Sequence, residues 1–145
     1  MEELAPIEET LVERATEALE NAHAPYSNFR VGAALLTTDG EIFSGCNVEN
    51  AAYGSTICAE RTAIFKAVSE GKKEFSTIAI VLETDDGIGS PCGACRQVMN
   101  EFNADMKVIM ANTDGDYKVG SVEELLPDSF GANYLENREI VRPEP

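Results

Sequence analysis

Two short, unbroken apolar runs, Ile78–Leu82 and Val108–Ala111, constrain the fold of this chain more than any other feature. Strands of that kind are usually covered on both faces, so the pair predicts the interior of a helix-flanked sheet. Between them, Cys92–Phe102 reads as a helix opened by Pro91. Upstream, Pro6 to Ala22 has helical spacing, with Ile7, Leu11, Ala15, Ala18 and Ala22 in one stripe widened by Val12 and Leu19. Pro25 follows, where a helix must already have ended. Arg30–Thr38 and Glu41–Glu49 are strand-like and flank Asp39-Gly40, a hairpin signal. A tight two-residue turn there sets Asn47 opposite Gly32 and Glu49 opposite Arg30. A further helix starts near Ile57-Cys58 and runs to Glu70, with Gly71 as its stop. After a turn at Asp114-Gly115, Ser121-x-x-Glu124 is a capping box for a short last helix. The order α-β-β-α-β-α-β-β-α predicts an α/β fold: a single three-layer α/β/α domain with a mixed five-stranded sheet. That domain is expected to span residues 1–136. The polar, proline-bearing stretch Asn137–Pro145 is expected to be poorly ordered.

Composition narrows the partners. The 145 residues carry 11 Lys and Arg against 26 acids, a net charge of −15. Nucleic-acid binding draws its affinity from cations on phosphates, so RNA and DNA are poor partners, as is an anionic membrane. A small neutral substrate fits this surface better. No apolar stretch reaches the length of a membrane span. Met1-Glu2-Glu3-Leu4 lacks the basic and apolar regions of a signal peptide, which points to the cytoplasm. In a reducing compartment, four cysteines serve as metal ligands, catalytic groups or packing rather than disulfides.

The cysteines are placed for chemistry. Pro91-Cys92-Gly93-Ala94-Cys95 sets two thiols three apart at a helix start, and Cys58 opens another helix. Helix N-termini stabilise the thiolate, the form that binds metal. Three sulfurs meeting there would leave one tetrahedral position open for water, as in catalytic rather than structural zinc. Glu60, two residues past Cys58, points away from it on a regular helix, so it is cast as a proton carrier and not a fourth ligand. Other readings stay open at this level. The Cys-x-x-Cys could be a redox motif, Cys46 could complete a closed four-cysteine site, or all four cysteines could be packing. Cys46 is most simply a small buried strand residue, and His23, the only histidine, a surface or capping residue.

Cys58-Ala59-Glu60 with Pro91-Cys92-Gly93-Ala94-Cys95 resembles the cytidine deaminase family, whose zinc signature pairs a ligand-x-Glu with Pro-Cys-x-x-Cys. The variant with three cysteines is similar to the small homotetrameric members. Ala24-Pro25-Tyr26-Ser27-Asn28-Phe29-Arg30-Val31-Gly32-Ala33-Ala34 resembles the family's first-strand segment, and Asn47-Val48-Glu49-Asn50-Ala51 its nucleoside-binding segment. The likeness extends over roughly residues 10–130.

What the resemblance implies is specific. One Zn2+ per subunit would be held by Cys58, Cys92 and Cys95, with Glu60 moving protons during hydrolytic deamination of cytidine and 2′-deoxycytidine. Asn47 and Glu49 would bind the 3′ side of the ribose, both on one face of a strand, with Gly32 opposite leaving room for the sugar. Phe29 would lie on the pyrimidine face, and Ala59 would offer its N–H to the pyrimidine carbonyl. Tyr53 and Phe130 match positions that complete a neighbouring subunit's pocket in a homotetramer. Arg61 would draw negative charge from the three thiolates. Two rival functions remain at this level: a deaminase for a cytosine-bearing antibiotic such as blasticidin S, and a non-catalytic zinc-stabilised binding module.

Overall fold

The computed structural model describes residues 3–84 and 87–132, so the expectation for the tail from Asn137 lies outside the described residues. Among the described residues there are five strands: β1 (Val31–Thr37), β2 (Ile42–Cys46), β3 (Phe75–Leu82), β4 (Lys107–Asn112) and β5 (Tyr117–Ser121). They form one sheet in the order β2-β1-β3-β4-β5. Only β3 and β4 run parallel, joined through helix α3 (Gly93–Phe102); the other pairs are antiparallel. The central strands are the two apolar runs, lengthened at their ends.

Helix α1 (Pro6–Leu19) covers one face, where Leu11, Ala15 and Leu19 pack on Ala34, Ala79, Val81, Ile109 and Ala111. Helices α2 (Ala59–Ser69) and α3 cover the other, where Ala63, Ile64, Ala67, Cys95 and Met99 meet Ala33, Leu35, Ile78, Ile80, Val108 and Met110. The alternation along β1, with Ala33 to one core and Ala34 to the other, is the pleat of a strand covered on both sides. A short α4 (Val122–Leu125) closes that second core through Val122. The three-layer mixed sheet expected from the sequence is the observed architecture.

Three local expectations are corrected. Helix α1 stops at Leu19, and residues 20–22 continue only as turns bonded three residues back. Its buried stripe is Glu8, Leu11, Ala15 and Leu19, whereas Ile7 is 45% exposed. Glu8 tolerates burial because Lys107 Nζ lies 2.7 Å away and the Ala5 N–H donates to it at 2.8 Å. The hairpin turn is also one residue longer than a tight Asp-Gly turn. Thr37 N–H donates to Glu41 O and Gly40 adopts φ 91°, so Thr38, Asp39 and Gly40 form a three-residue loop. The register moves accordingly: Gly32 pairs with Cys46, not Asn47, and β2 ends there. Asn47 donates its backbone N–H to Val31 O, and Glu49 leaves the hairpin to bond the backbone of His23.

The third correction concerns Gly32. A Cβ there would come within 1.8 Å of the Ala15 carbonyl oxygen, so this glycine admits helix α1 rather than a sugar. Gly45 does the same on the opposite face, where a Cβ would meet the α2 backbone at Ala63 N (2.6 Å) and Ala59 O (2.8 Å). Two glycines on paired strands thus set how closely both helix layers approach the sheet.

Candidate metal centre and nucleoside pocket

Cys58 and Cys92 are the N-cap residues of α2 and α3, both extended, and neither thiol accepts a capping bond from its own helix. Their sulfurs turn toward each other instead, 3.8 Å apart. Cys95, fully buried one turn into α3, completes a set of three sulfurs that all lie within 4.8 Å of one another. A tetrahedral site with zinc–sulfur bonds of about 2.3 Å separates its sulfurs by about 3.8 Å, so this donor set fits zinc in both chemistry and spacing. Cys46 is not among them: it ends β2, half-buried, with its thiol pushed up by burial. The closed four-cysteine site is therefore absent among the described residues.

Hydrogen bonding from Cys95, then from Arg61 and Cys92, holds the Cys58 thiol down at about 5, against the burial that pushes it up. The same coupling to Cys58, with burial, raises Cys95. Arg61 Nη2 donates to Cys58 Sγ at 3.4 Å. Arg61 Nε is buried without a hydrogen-bond partner among the described residues.

Glu60, in the first turn of α2, is 4% exposed, and burial raises its carboxyl above the ordinary range. Ala59 is fully buried at the first helical position, where a backbone N–H has no partner inside the helix. The helix start thus carries a sulfur at Cys58, the Ala59 N–H and the raised Glu60 carboxyl on three successive residues.

The segment expected to hold a nucleoside is tied by side chains. Asn47 Oδ1 accepts from Val31 N–H (2.9 Å) and its Nδ2 donates to Phe29 O (2.9 Å). Glu49 Oε1 accepts from the N–H groups of Tyr26 (2.9 Å) and Ser27 (3.1 Å), and its Oε2 from the Ser27 hydroxyl. Both side chains thus reach segment 26–31 from the same side, as residues two apart on an extended strand do. Phe29 is 43% exposed, Tyr53 75% and Phe130 56%. Tyr53 stacks edge-on against Tyr26 at 6.0 Å, and the Phe130 carbonyl is held by Gln97 and Asn100 of α3. In the single chain these aromatics remain open to solvent. His23 is exposed, and its backbone bonds to Asn47 O and Glu49 N.

Arg96 was not singled out by sequence reasoning. It follows Cys95 and donates to Pro91 O (2.7 Å), Leu125 O (2.7 Å) and Ser90 Oγ (3.0 Å). It thereby fixes the loop before Cys92 and ties it to the end of α4. Nothing in its spacing distinguishes it from a solvent-facing helix arginine.

A doubly covered mixed sheet whose helix starts gather three thiols and a buried carboxyl defines a zinc-type hydrolytic site. Residues 6–112 match the family described as the cytidine and deoxycytidylate deaminase zinc-binding region, and the chain belongs to that family. A cytidine deaminase from Sporosarcina psychrophila is 52% identical over 128 residues, covering 88% of this chain and 93% of the relative. The crystal structure of cytidine deaminase from Burkholderia pseudomallei is 54% identical with a TM-score of 0.81, covering 84% of this chain and 98% of that one. That of the Mycobacterium tuberculosis cytidine deaminase is 38% identical with a TM-score of 0.73, covering 85% and 96%. Zinc is the cofactor of this family, and Cys58, Cys92 and Cys95 are the cluster able to hold it.

Proposed function

We propose that this chain hydrolytically deaminates cytidine and 2′-deoxycytidine to the corresponding uridines, releasing ammonia in pyrimidine salvage. The observation that carries the reading is the three-sulfur cluster beside the buried Glu60 carboxyl. Cys58, Cys92 and Cys95 would hold the zinc, which supplies the Lewis acidity that makes water a nucleophile at neutral pH.

Glu60 takes one proton from the attacking water and passes it to ring N3. It then takes the remaining proton of the hydroxyl added at C4 and delivers it to the amine, so that the C4 carbonyl forms as ammonia leaves. A carboxyl raised by burial suits both directions of transfer. The Ala59 N–H donates to the pyrimidine carbonyl, and Phe29 covers a ring face. Asn47 and Glu49 bind the ribose from the segment they also brace. Arg61 moderates the thiolate charge. Three exposed aromatics, Tyr26, Tyr53 and Phe130, support a homotetramer in which neighbouring copies complete each pocket with Tyr53 and Phe130. No helix among the described residues is long and apolar enough to cross a membrane. With the charge of −15, that supports a cytoplasmic enzyme for small nucleosides.

Purified protein mixed with cytidine tests the reading: uridine and ammonia should form in equal amounts. Turnover of blasticidin S but not cytidine would overturn the substrate assignment. Sedimentation at the monomer mass would overturn the assembly.

A further inference from the structure

Ser27 joins Phe29 to Glu49 within the segment proposed to hold the nucleoside. Ser27 Oγ accepts the Phe29 N–H at 3.0 Å and donates to Glu49 Oε2 at 2.5 Å. Because one lone pair is engaged by Phe29, the hydroxyl proton is directed at Glu49. Asn28, between them, adopts a left-handed φ of 58°, which turns the chain back so that Ser27 faces both partners.

The carboxylate has little freedom left. Oε1 already accepts two backbone N–H groups, from Tyr26 and Ser27, and so is filled. Oε2 accepts only Ser27 among the described residues. A sugar hydroxyl donating to Glu49 must therefore land on Oε2, in the position that the Ser27 hydroxyl leaves open. We propose that Ser27 is a positioning residue for the sugar: it fixes the oxygen and the direction with which Glu49 meets the ribose 3′-hydroxyl, and it links that carboxylate to Phe29 under the base. The Ser27 hydroxyl is also the largest influence holding the Glu49 carboxyl below its ordinary range, which keeps it an acceptor.

The inference rests on the cytidine deaminase reading, and two substrates separate the two claims. Kinetics of the parent, Ser27→Ala and Ser27→Thr are measured with cytidine and with 3′-deoxycytidine. Losing one hydrogen bond to a charged group predicts that Ser27→Ala raises KM for cytidine roughly tenfold, with kcat within about threefold. With 3′-deoxycytidine, which has no hydroxyl for Glu49, the Ala penalty should shrink to less than about threefold, and Ser27→Thr should restore cytidine KM to within about threefold. An equal penalty on both substrates, or an unchanged KM for cytidine, overturns the role. If Ser27→Ala does not fold, Ser27→Cys, which keeps a weak donor, is read by the same split between substrates. A parent that turns over neither nucleoside sinks the deaminase reading instead, and calorimetric binding of the two nucleosides to parent and variant then decides the Ser27 role alone.

Discussion

Replacing Gly32 with alanine tests the close approach of helix α1 to strand β1. The added Cβ would sit 1.8 Å from Ala15 O and 2.9 Å from Leu19 N, both backbone atoms of α1. An ordinary contact needs about 3.4 Å, so the helix must retreat by roughly 1.5 Å. No side chain can swing aside to spare it. Retreat would loosen Leu11, Ala15 and Leu19 from Ala34, Val81 and Ile109. Overpacking of this kind costs about 1–3 kcal/mol, and a rigid neighbour puts it at the upper end. Reduced freedom of the unfolded chain returns about 0.4–1 kcal/mol. The net loss is at least about 2 kcal/mol, or a Tm at least about 6 °C lower for a chain of this size. Thermal unfolding followed by circular dichroism measures it. Gly120→Ala is the control, since its Cβ would meet only the flexible end of Met110, at 3.5 Å. A Gly32→Ala protein melting within about 2 °C of the parent would refute the close-packing argument.

Further outcomes follow from the site and its supports. Cys92→Ala should lose bound zinc, measured by elemental analysis, while Cys46→Ala keeps one equivalent, because Cys46 stands outside the sulfur cluster. Arg96→Ala leaves the Pro91 and Leu125 carbonyls without their donor, so it should cost about 1–3 kcal/mol in denaturant titration and speed zinc release to a chelator. In Glu8, burial pushes the carboxyl up, but Lys107 and the Ala5 N–H outweigh it and hold the pKa below its usual 4.5. A folded pKa below the unfolded one stabilises above that unfolded value and fades as pH falls through the folded one. The Tm gap between parent and Glu8→Gln should therefore be full at neutral pH and close as pH drops below 4.5. An unchanged gap in acid would contradict the Glu8–Lys107 pairing.

The sequence carried the sheet and the metal cluster well because both rest on local signals. Continuous apolar runs marked β3 and β4, and helix starts at Cys58 and Cys92 were placed to within a residue. What it misread depends on tertiary contact. The hairpin loop turned on whether Gly40 alone, or Asp39 and Gly40 together, took positive φ, and that choice shifted every pair in β1–β2 by one. Gly32 looked like space for a ligand because nothing local reveals that α1 crosses there. Ile7 and Glu8 exchanged places because Lys107, about a hundred residues away, satisfies the buried acid. Asn47 and Glu49 were legible as a same-face pair, but their bonds to the Tyr26–Val31 segment were not, since all those partners but the Ser27 hydroxyl are backbone groups that carry no sequence signal.

The central claim is that the buried Glu60 carboxyl moves protons at a three-cysteine zinc site. The most direct test compares zinc-loaded parent and Glu60→Gln by ultraviolet absorbance as cytidine becomes uridine, with zinc content measured on the same samples. Losing a general acid–base predicts that kcat falls by about 10²–10⁴, with zinc retained at one equivalent per chain. A Glu60→Gln enzyme that keeps its zinc and deaminates cytidine at close to the parental rate would contradict it.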